Sequence, residues 1–206
     1  DSLVNEPSID PIPSNDEIDF ILENTQKYMS IKPKRKDVKS IFVGLRPLVA
    51  KDSKSKSKDI SRKHRIIISE AGLVSVIGGK WTTYRKIAKM VIDKSIKNSE
   101  LNFVKSVTAD LKISDGLKNI DFSKDSLSKY FYLSKDLIIH YIKNEMAINL
   151  DDIMSRRSRC LFLNVKESVL IAPKVVKIMA QELSKNNEWE EEQLNKFYKL
   201  TKLYTI

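Results

Sequence analysis

Apolar residues recur along this 206-residue chain with two different periods, and the change of period organises it. Near the start, Ser14-Asn15-Asp16-Glu17 has the form of a capping box, and Ile18, Ile21, Leu22 and Thr25 follow at helical spacing. This predicts a helix over about residues 15–29, stopped by Pro33. The period then shortens. Lys39-Ser40-Ile41-Phe42-Val43 is β-branched and aromatic and predicts a strand ending near Arg46. His64-Arg65-Ile66-Ile67-Ile68 predicts a second strand, Glu70-Ala71-Gly72 a turn, and Leu73-Val74-Ser75-Val76-Ile77 a third strand. After Gly78-Gly79 the helical period returns, with Ile87, Met90, Val91 and Ser95 on one face of a helix starting at Thr82 or Thr83.

Residues 98–125 are polar and carry no clear period. Beyond them the period is helical throughout. One helix is expected over about 134–146. Another starts at Asn149, with Asp151 and Asp152 early and Arg156, Arg157 and Arg159 late, as the helix dipole favours. A third covers about 165–185, kinked or opened by Pro173, and a last one turns Leu194, Phe197, Tyr198 and Thr201 inward. The fold class expected is α+β, with about three strands and flanking helices followed by an all-helical domain. The division falls at 1–100, a linker over 101–125, and 126–206.

Composition narrows the picture. With 41% hydrophobic and 31% charged residues, a packed core is expected and wholesale disorder is not. No apolar run approaches the roughly 18–20 residues of a membrane span. The chain opens on Asp1 without a basic and apolar leader, so the expectation is that it starts inside a longer protein, without a signal peptide. A single cysteine, Cys160, excludes an internal disulfide and a cysteine-based zinc site, and its apolar neighbours suggest a buried thiol in a reducing, cytoplasmic setting.

The net charge of +10 collects between Lys51 and Arg65, where seven cations face only Asp52 and Asp59. This run has no aromatic to stack a base, so nucleic acid is not expected as a partner; a solvated loop is the plainer reading and contact with an anionic membrane surface the minority one. His64 reads as a strand-end residue and His140 as a packing residue. Arg156 and Arg157 read as helix-end charges, and Trp189 and Tyr198 as core.

The candidate chemistry lies at Gly78-Gly79-Lys80-Trp81-Thr82-Thr83, where a strand delivers two glycines to the start of a helix. Glycines let a ligand approach the backbone, and a helix amino end attracts an electron-rich group by roughly 0.3–1 kcal/mol. The Walker order is absent, so the segment alone is equally compatible with an ordinary strand-to-helix turn. Pro47 biases Arg46 to an extended backbone, holding its side chain out from the strand end.

Three segments together carry a family resemblance: Gly44-Leu45-Arg46-Pro47-Leu48, Ser61-Arg62-Lys63-His64, and Gly78-Gly79-Lys80-Trp81-Thr82-Thr83-Tyr84-Arg85. In that order and spacing they resemble the FAD-dependent, quinone-linked glycerol-3-phosphate dehydrogenases. Asn144-Glu145-Met146-Ala147, Leu150-Asp151-Asp152-Ile153 and Arg156-Arg157-Ser158-Arg159 look like that family's carboxyl-terminal domain. The resemblance implies that residues 1–100 are the carboxyl end of a domain for FAD and substrate. It implies oxidation of sn-glycerol 3-phosphate to dihydroxyacetone phosphate through FAD to quinone, peripheral to the inner face of the plasma membrane. By the same resemblance, Gly78, Gly79, Lys80, Trp81 and Thr82 would line the cofactor, and Arg46 and Lys80 the substrate. The Gly-x-Gly-x-x-Gly fingerprint is missing from these 206 residues, so an FAD-binding region elsewhere in the same protein is an expected partner and the isolated chain is expected to be inactive. The alternatives are a basic helical interaction module for nucleic acid or an anionic membrane, and a related flavoenzyme acting on an amine.

Overall fold

The computed structural model describes residues 2, 4, 6–46, 64–112 and 125–206. They form two compact units, one of Asp1–Pro7 with Leu45–Gly116, the other of Ser8–Gly44 with Leu117–Ile206. The elements confirm an α+β chain whose carboxyl half is helical, with two strands among the described residues where the sequence led to an expectation of about three.

The first unit holds β1 (Arg65–Ile68), β2 (Val74–Ile77) and α2 (Tyr84–Lys97). The strands are antiparallel and in register Ile66 to Val76 and Ile68 to Val74. Their link closes as the sequence suggests: Gly72 takes φ +83 and donates its N–H to the Ser69 carbonyl at 2.9 Å. Lys94 donates to the Ile66 carbonyl at 3.1 Å and ties α2 to β1. Yet no residue of β1, β2 or α2 is buried, and Leu73, Val76, Ile77 and Ile92 remain exposed. A lone two-stranded ribbon is marginal in water, because it has one ladder and no closed core.

The predicted first strand, Lys39 to Arg46, pairs with no strand among the described residues. Its apolar side chains meet helices instead. Ile41 donates to the Tyr204 carbonyl at 2.9 Å, Lys39 accepts from the Val165 N–H at 3.1 Å, and the Phe42 ring lies 5.0 Å from that of Phe162. A β-branched run signals backbone with something to bury against, and it does not specify a strand as the partner. These contacts join residues up to Gly44 to the helical unit, whereas the sequence divided the chain after residue 100.

The second unit begins with α1 (Asn15–Gln26), whose Ser14–Glu17 capping box forms in both directions, at 3.2 and 3.0 Å. Its core lies among α3 (Lys135–Glu145), a π-helical segment (Asp152–Arg157), α4 (Cys160–Leu163), α5 (Val165–Leu183) and α6 (Asn187–Thr201). The helix expected from Asn149 is this wider π-turn. Asp152 accepts from the Ile148 and Asn149 amides, and Asn149 accepts from the Asp152 amide at 2.9 Å, which fixes the turn. Pro173 sits inside α5, so it does not open that helix; its missing N–H leaves the Val169 carbonyl without the usual partner.

One buried polar bond spans the bundle. The Leu150 N–H, on a fully buried residue, donates to Gln193 Oε1 at 3.0 Å. Gln193→Leu is therefore expected to destabilise the bundle by about 1–3 kcal/mol, the cost of an unsatisfied buried amide. Urea unfolding of the two forms measures it, and an unchanged midpoint would show that the amide finds another partner.

Cys160 is fully buried, and loss of solvation pushes its thiol up to about 11 from an ordinary 9.0. Because the folded value is raised, the stabilisation is complete below pH 9 and fades as the pH climbs toward 11. Comparing the chain with Cys160→Ala isolates it from tyrosine and lysine titration. The stability difference between the two should narrow across that window, and a constant difference would contradict the burial.

Candidate functional site

The strand-to-helix turn after β2 is built by two glycines. Gly78 and Gly79 both adopt left-handed backbone, φ +70 and +98, which other residues enter only with strain. Gly79 has a second constraint: a Cβ there would lie 2.7 Å from Ile87 Cδ1 and 3.1 Å from His64 Cβ. The close packing of α2 on the residue before β1 thus accounts for glycine at 79 without a ligand. His64, read from the sequence as a strand-end histidine, is that packing partner.

Lys80 returns to extended backbone, φ −106 and ψ 139, and Trp81–Thr83 makes one 3-10 turn before α2. Neither threonine caps the helix. Thr83 occupies the cap position, but its hydroxyl donates to the Lys80 carbonyl at 3.0 Å, and among the described residues no side chain accepts from the first amides of α2. The Thr83 hydroxyl makes this local bond because the 3-10 turn brings the Lys80 carbonyl within reach. No acidic residue stands in the first turn of α2, while Lys94 and Lys97 lie in its last, so its amino end keeps an uncompensated partial positive charge.

Trp81 is 84% exposed. Its ring stacks on that of Tyr84, centroids 5.3 Å apart and planes 25° off parallel. Together they form a flat aromatic surface facing outward beside the glycines. Sequence reading gave Tyr84 no role; the spacing of three on a helical turn was the signal for the stack. Arg46 is exposed and lies in the same compact unit as the Gly-Gly turn. Lys80 is also exposed. Thus Gly78, Gly79, Lys80, Trp81 and Thr82 form one continuous surface feature. Pro47, Ser61-Arg62-Lys63 and the basic run over residues 51–63 lie outside the described residues.

The other candidates take structural places. His140 Nε2 lies 3.4 Å from Glu145, which also pairs with Arg157 at 3.2 Å; Arg156 pairs with Asp152 at 3.0 Å and with Asp151. Trp189 and Tyr198 pack on the bundle core. Among the described residues, no group of three or more His, Cys, Asp or Glu could hold a metal, and no helix is long and apolar enough to cross a membrane.

Known proteins give the context. Residues 112–193 match the family described as the C-terminal domain of alpha-glycerophosphate oxidase. The chain is 30% identical to the mitochondrial glycerol-3-phosphate dehydrogenase of Rattus norvegicus, with 89% of this chain and 31% of that protein covered. It is 30% identical to a probable glycerol-3-phosphate dehydrogenase of Encephalitozoon cuniculi, covering 91% of this chain and 36% of that one. It therefore spans about a third of the length of these relatives. Among solved structures, the glycerol-3-phosphate dehydrogenase of Bacillus halodurans, complexed with FAD, shares the fold with a TM-score of 0.70 at 22% identity, over 98% of this chain and 48% of that one. Along nearly its whole length, then, the chain resembles the glycerol-3-phosphate dehydrogenases, as Gly78–Arg85 implied, and its helical unit matches the C-terminal domain of alpha-glycerophosphate oxidase.

Proposed function

We propose that this chain forms one wall of the flavin and substrate site of an FAD-dependent glycerol-3-phosphate dehydrogenase. The observation that carries the reading is the turn itself: two consecutive left-handed glycines, an uncapped helix start, and an outward-facing Trp81–Tyr84 stack in one place. These features suit a flat, electron-rich ring. Gly78 allows the backbone to come close, the amides at the start of α2 favour negative charge, and the indole offers a face to pack on. FAD, when bound, supplies the two-electron acceptor for converting the secondary alcohol of sn-glycerol 3-phosphate to the ketone of dihydroxyacetone phosphate.

The chain's own task is positioning and charge. Arg46, with its planar fork, and Lys80, a compact point charge, hold the substrate phosphate and the oxygen that becomes the carbonyl. The Gly-x-Gly-x-x-Gly segment for the adenine dinucleotide is not among the 206 residues, so the cofactor is held chiefly by an amino-terminal FAD-binding region of the same protein. Quinone is the proposed final acceptor, which places the enzyme at the surface of a membrane.

Lys80→Ala and Arg46→Ala test this in a protein that joins the chain to its FAD-binding region. Each is expected to raise KM for glycerol 3-phosphate on the order of 10–100-fold, the loss of a charge-assisted phosphate contact. Flavin content should remain near that of the parent. Unchanged KM in both variants would remove these residues from the site.

A further inference from the structure

A second cluster of cations stands in the helical unit, away in sequence from both the Gly-Gly turn and the basic run over 51–63. Arg35, Lys36, Lys39 and Lys166 line a cleft of about 250 Å³, together with Val38, Val165, Thr205 and the terminal residue Ile206. No Asp or Glu side chain lines it.

The cleft is held in place by bonds made elsewhere. The Val165 N–H, at the start of α5, donates to the Lys39 carbonyl at 3.1 Å and to Ser40 Oγ at 2.7 Å, fastening the lysine-bearing segment to the helix. The Lys39 ammonium lies 5.1 Å from the centre of the Tyr130 ring, which limits where that charge can swing. Arg35 is the most constrained. Its Nε donates to Asp19 at 2.7 Å, and its two other nitrogens donate to the Asn15 side chain and carbonyl at 3.0 and 3.1 Å. A guanidinium has five N–H donors, so three bonds leave two available.

Nearby acids are committed. Asp19 is spent on Arg35, and the Asp37 carboxylate accepts from the Lys34 amide at 2.8 Å. Lys36 and Lys166 have no ion pair among the described residues, and both are exposed. Four cations are thus arranged around one space with two neighbouring carboxylates, Asp19 and Asp37, to offset them. Placing like charges together destabilises a fold slightly unless an anion sits among them.

From this arrangement we infer a binding site for a compact phosphate-bearing anion, formed by Arg35, Lys36, Lys39 and Lys166 at the start of α5. The volume limits the ligand. Sites for drug-sized molecules run from about 300 to 1,000 Å³, so this cleft suits one or two phosphate groups and not a whole nucleotide. The same end group occurs on a soluble phosphate ester and on a lipid headgroup, and the cleft recognises the phosphate in either.

The test uses the whole chain, isotopically labelled, titrated with inorganic pyrophosphate at low and moderate salt while amide resonances are followed. Saturable shifts are expected at Val38, Lys39, Lys166 and Thr205. Lys36→Ala with Lys166→Ala should weaken binding on the order of tenfold, the loss of two partly solvated charge contacts. Lys174→Ala with Lys177→Ala, which removes the same charge from the exposed side of α5 outside the cleft, should leave the affinity within about twofold. Shifts that never saturate, or equal weakening by both double variants, would overturn the site in favour of diffuse attraction. A parallel arm measures co-sedimentation with phosphatidic acid vesicles. Vesicle binding lost only in the Lys36/Lys166 variant assigns a headgroup as well as a free ester, whereas vesicle binding without any saturable pyrophosphate site overturns the proposal.

Discussion

Gly79→Ala is expected to take apart the β1–β2–α2 unit. The new methyl group would sit 2.7 Å from Ile87 Cδ1 and 3.1 Å from His64 Cβ, on a backbone at φ +98. Left-handed backbone costs a non-glycine residue roughly 1–2 kcal/mol, and overpacking adds about 1–3 kcal/mol. The Ile87 terminus can rotate, but the His64 Cβ is fixed to the chain just ahead of β1, so part of the clash remains. A unit with no buried residue in its strands or helix has little reserve against that sum. Hydrogen exchange should show lost protection at Ser69, whose N–H donates to the Leu73 carbonyl at 3.0 Å, and at Ile67 and Ser75, the next hydrogen-bonded pair of the ribbon in that register. Protection unchanged at these amides would mean that the turn is looser than its geometry indicates.

Phe197→Ala carries the second large effect. Phe197 is 1% exposed, is among the largest fully buried side chains, and belongs to the core shared by α3, α5 and α6. Emptying such a site costs about 3–5 kcal/mol, through lost transfer energy and the cavity left behind. Small domains have only some 5–15 kcal/mol in total, so the melting temperature should fall on the order of 15 °C or more. Thermal melting of the helical signal measures this. A drop of only a few degrees would show that neighbours such as Tyr198 collapse into the space.

The two halves differed in how much their sequence revealed, and the reason is physical. In the helical half each element buries a face of its own, so Val175, Val176 and Met179 repeat at helical spacing and all lie in the core. The start of α1 was equally legible, because the Ser14–Glu17 box is a local bond set by four residues. Local chemistry also fixed the Gly72 turn and the glycine pair. What the sequence left unspecified was pairing: Lys39 to Val43 has strand composition, but its partners, Tyr204 and Val165, lie more than a hundred residues away on helices. The π-turn at Asp152 was hidden for a similar reason, since its acids and arginines suit either helix type and the extra residue follows from side-chain bonds to backbone amides. At the candidate site, the glycines and Lys80 could be read from the motif. The Trp81–Tyr84 stack and the missing threonine cap needed coordinates, because both depend on one 3-10 turn.

These differences bear on function. The described part of the first unit leaves Leu73, Trp81, Ile92 and Phe103 on the outside, whereas the helical unit encloses a continuous core. Apolar surface of that kind is the signature of a face that another body covers. Together with an absent dinucleotide fingerprint and relatives about three times as long, it supports a chain that shapes a flavin site without holding the flavin alone.

Flavin stoichiometry tests that account most directly. The 206-residue chain, purified and dialysed with excess FAD, is compared with the same chain joined to an FAD-binding region of the family. No retained flavin is expected in the first and close to one flavin per chain in the second, which also oxidises glycerol 3-phosphate. Stoichiometric yellow flavin on the isolated chain would contradict it.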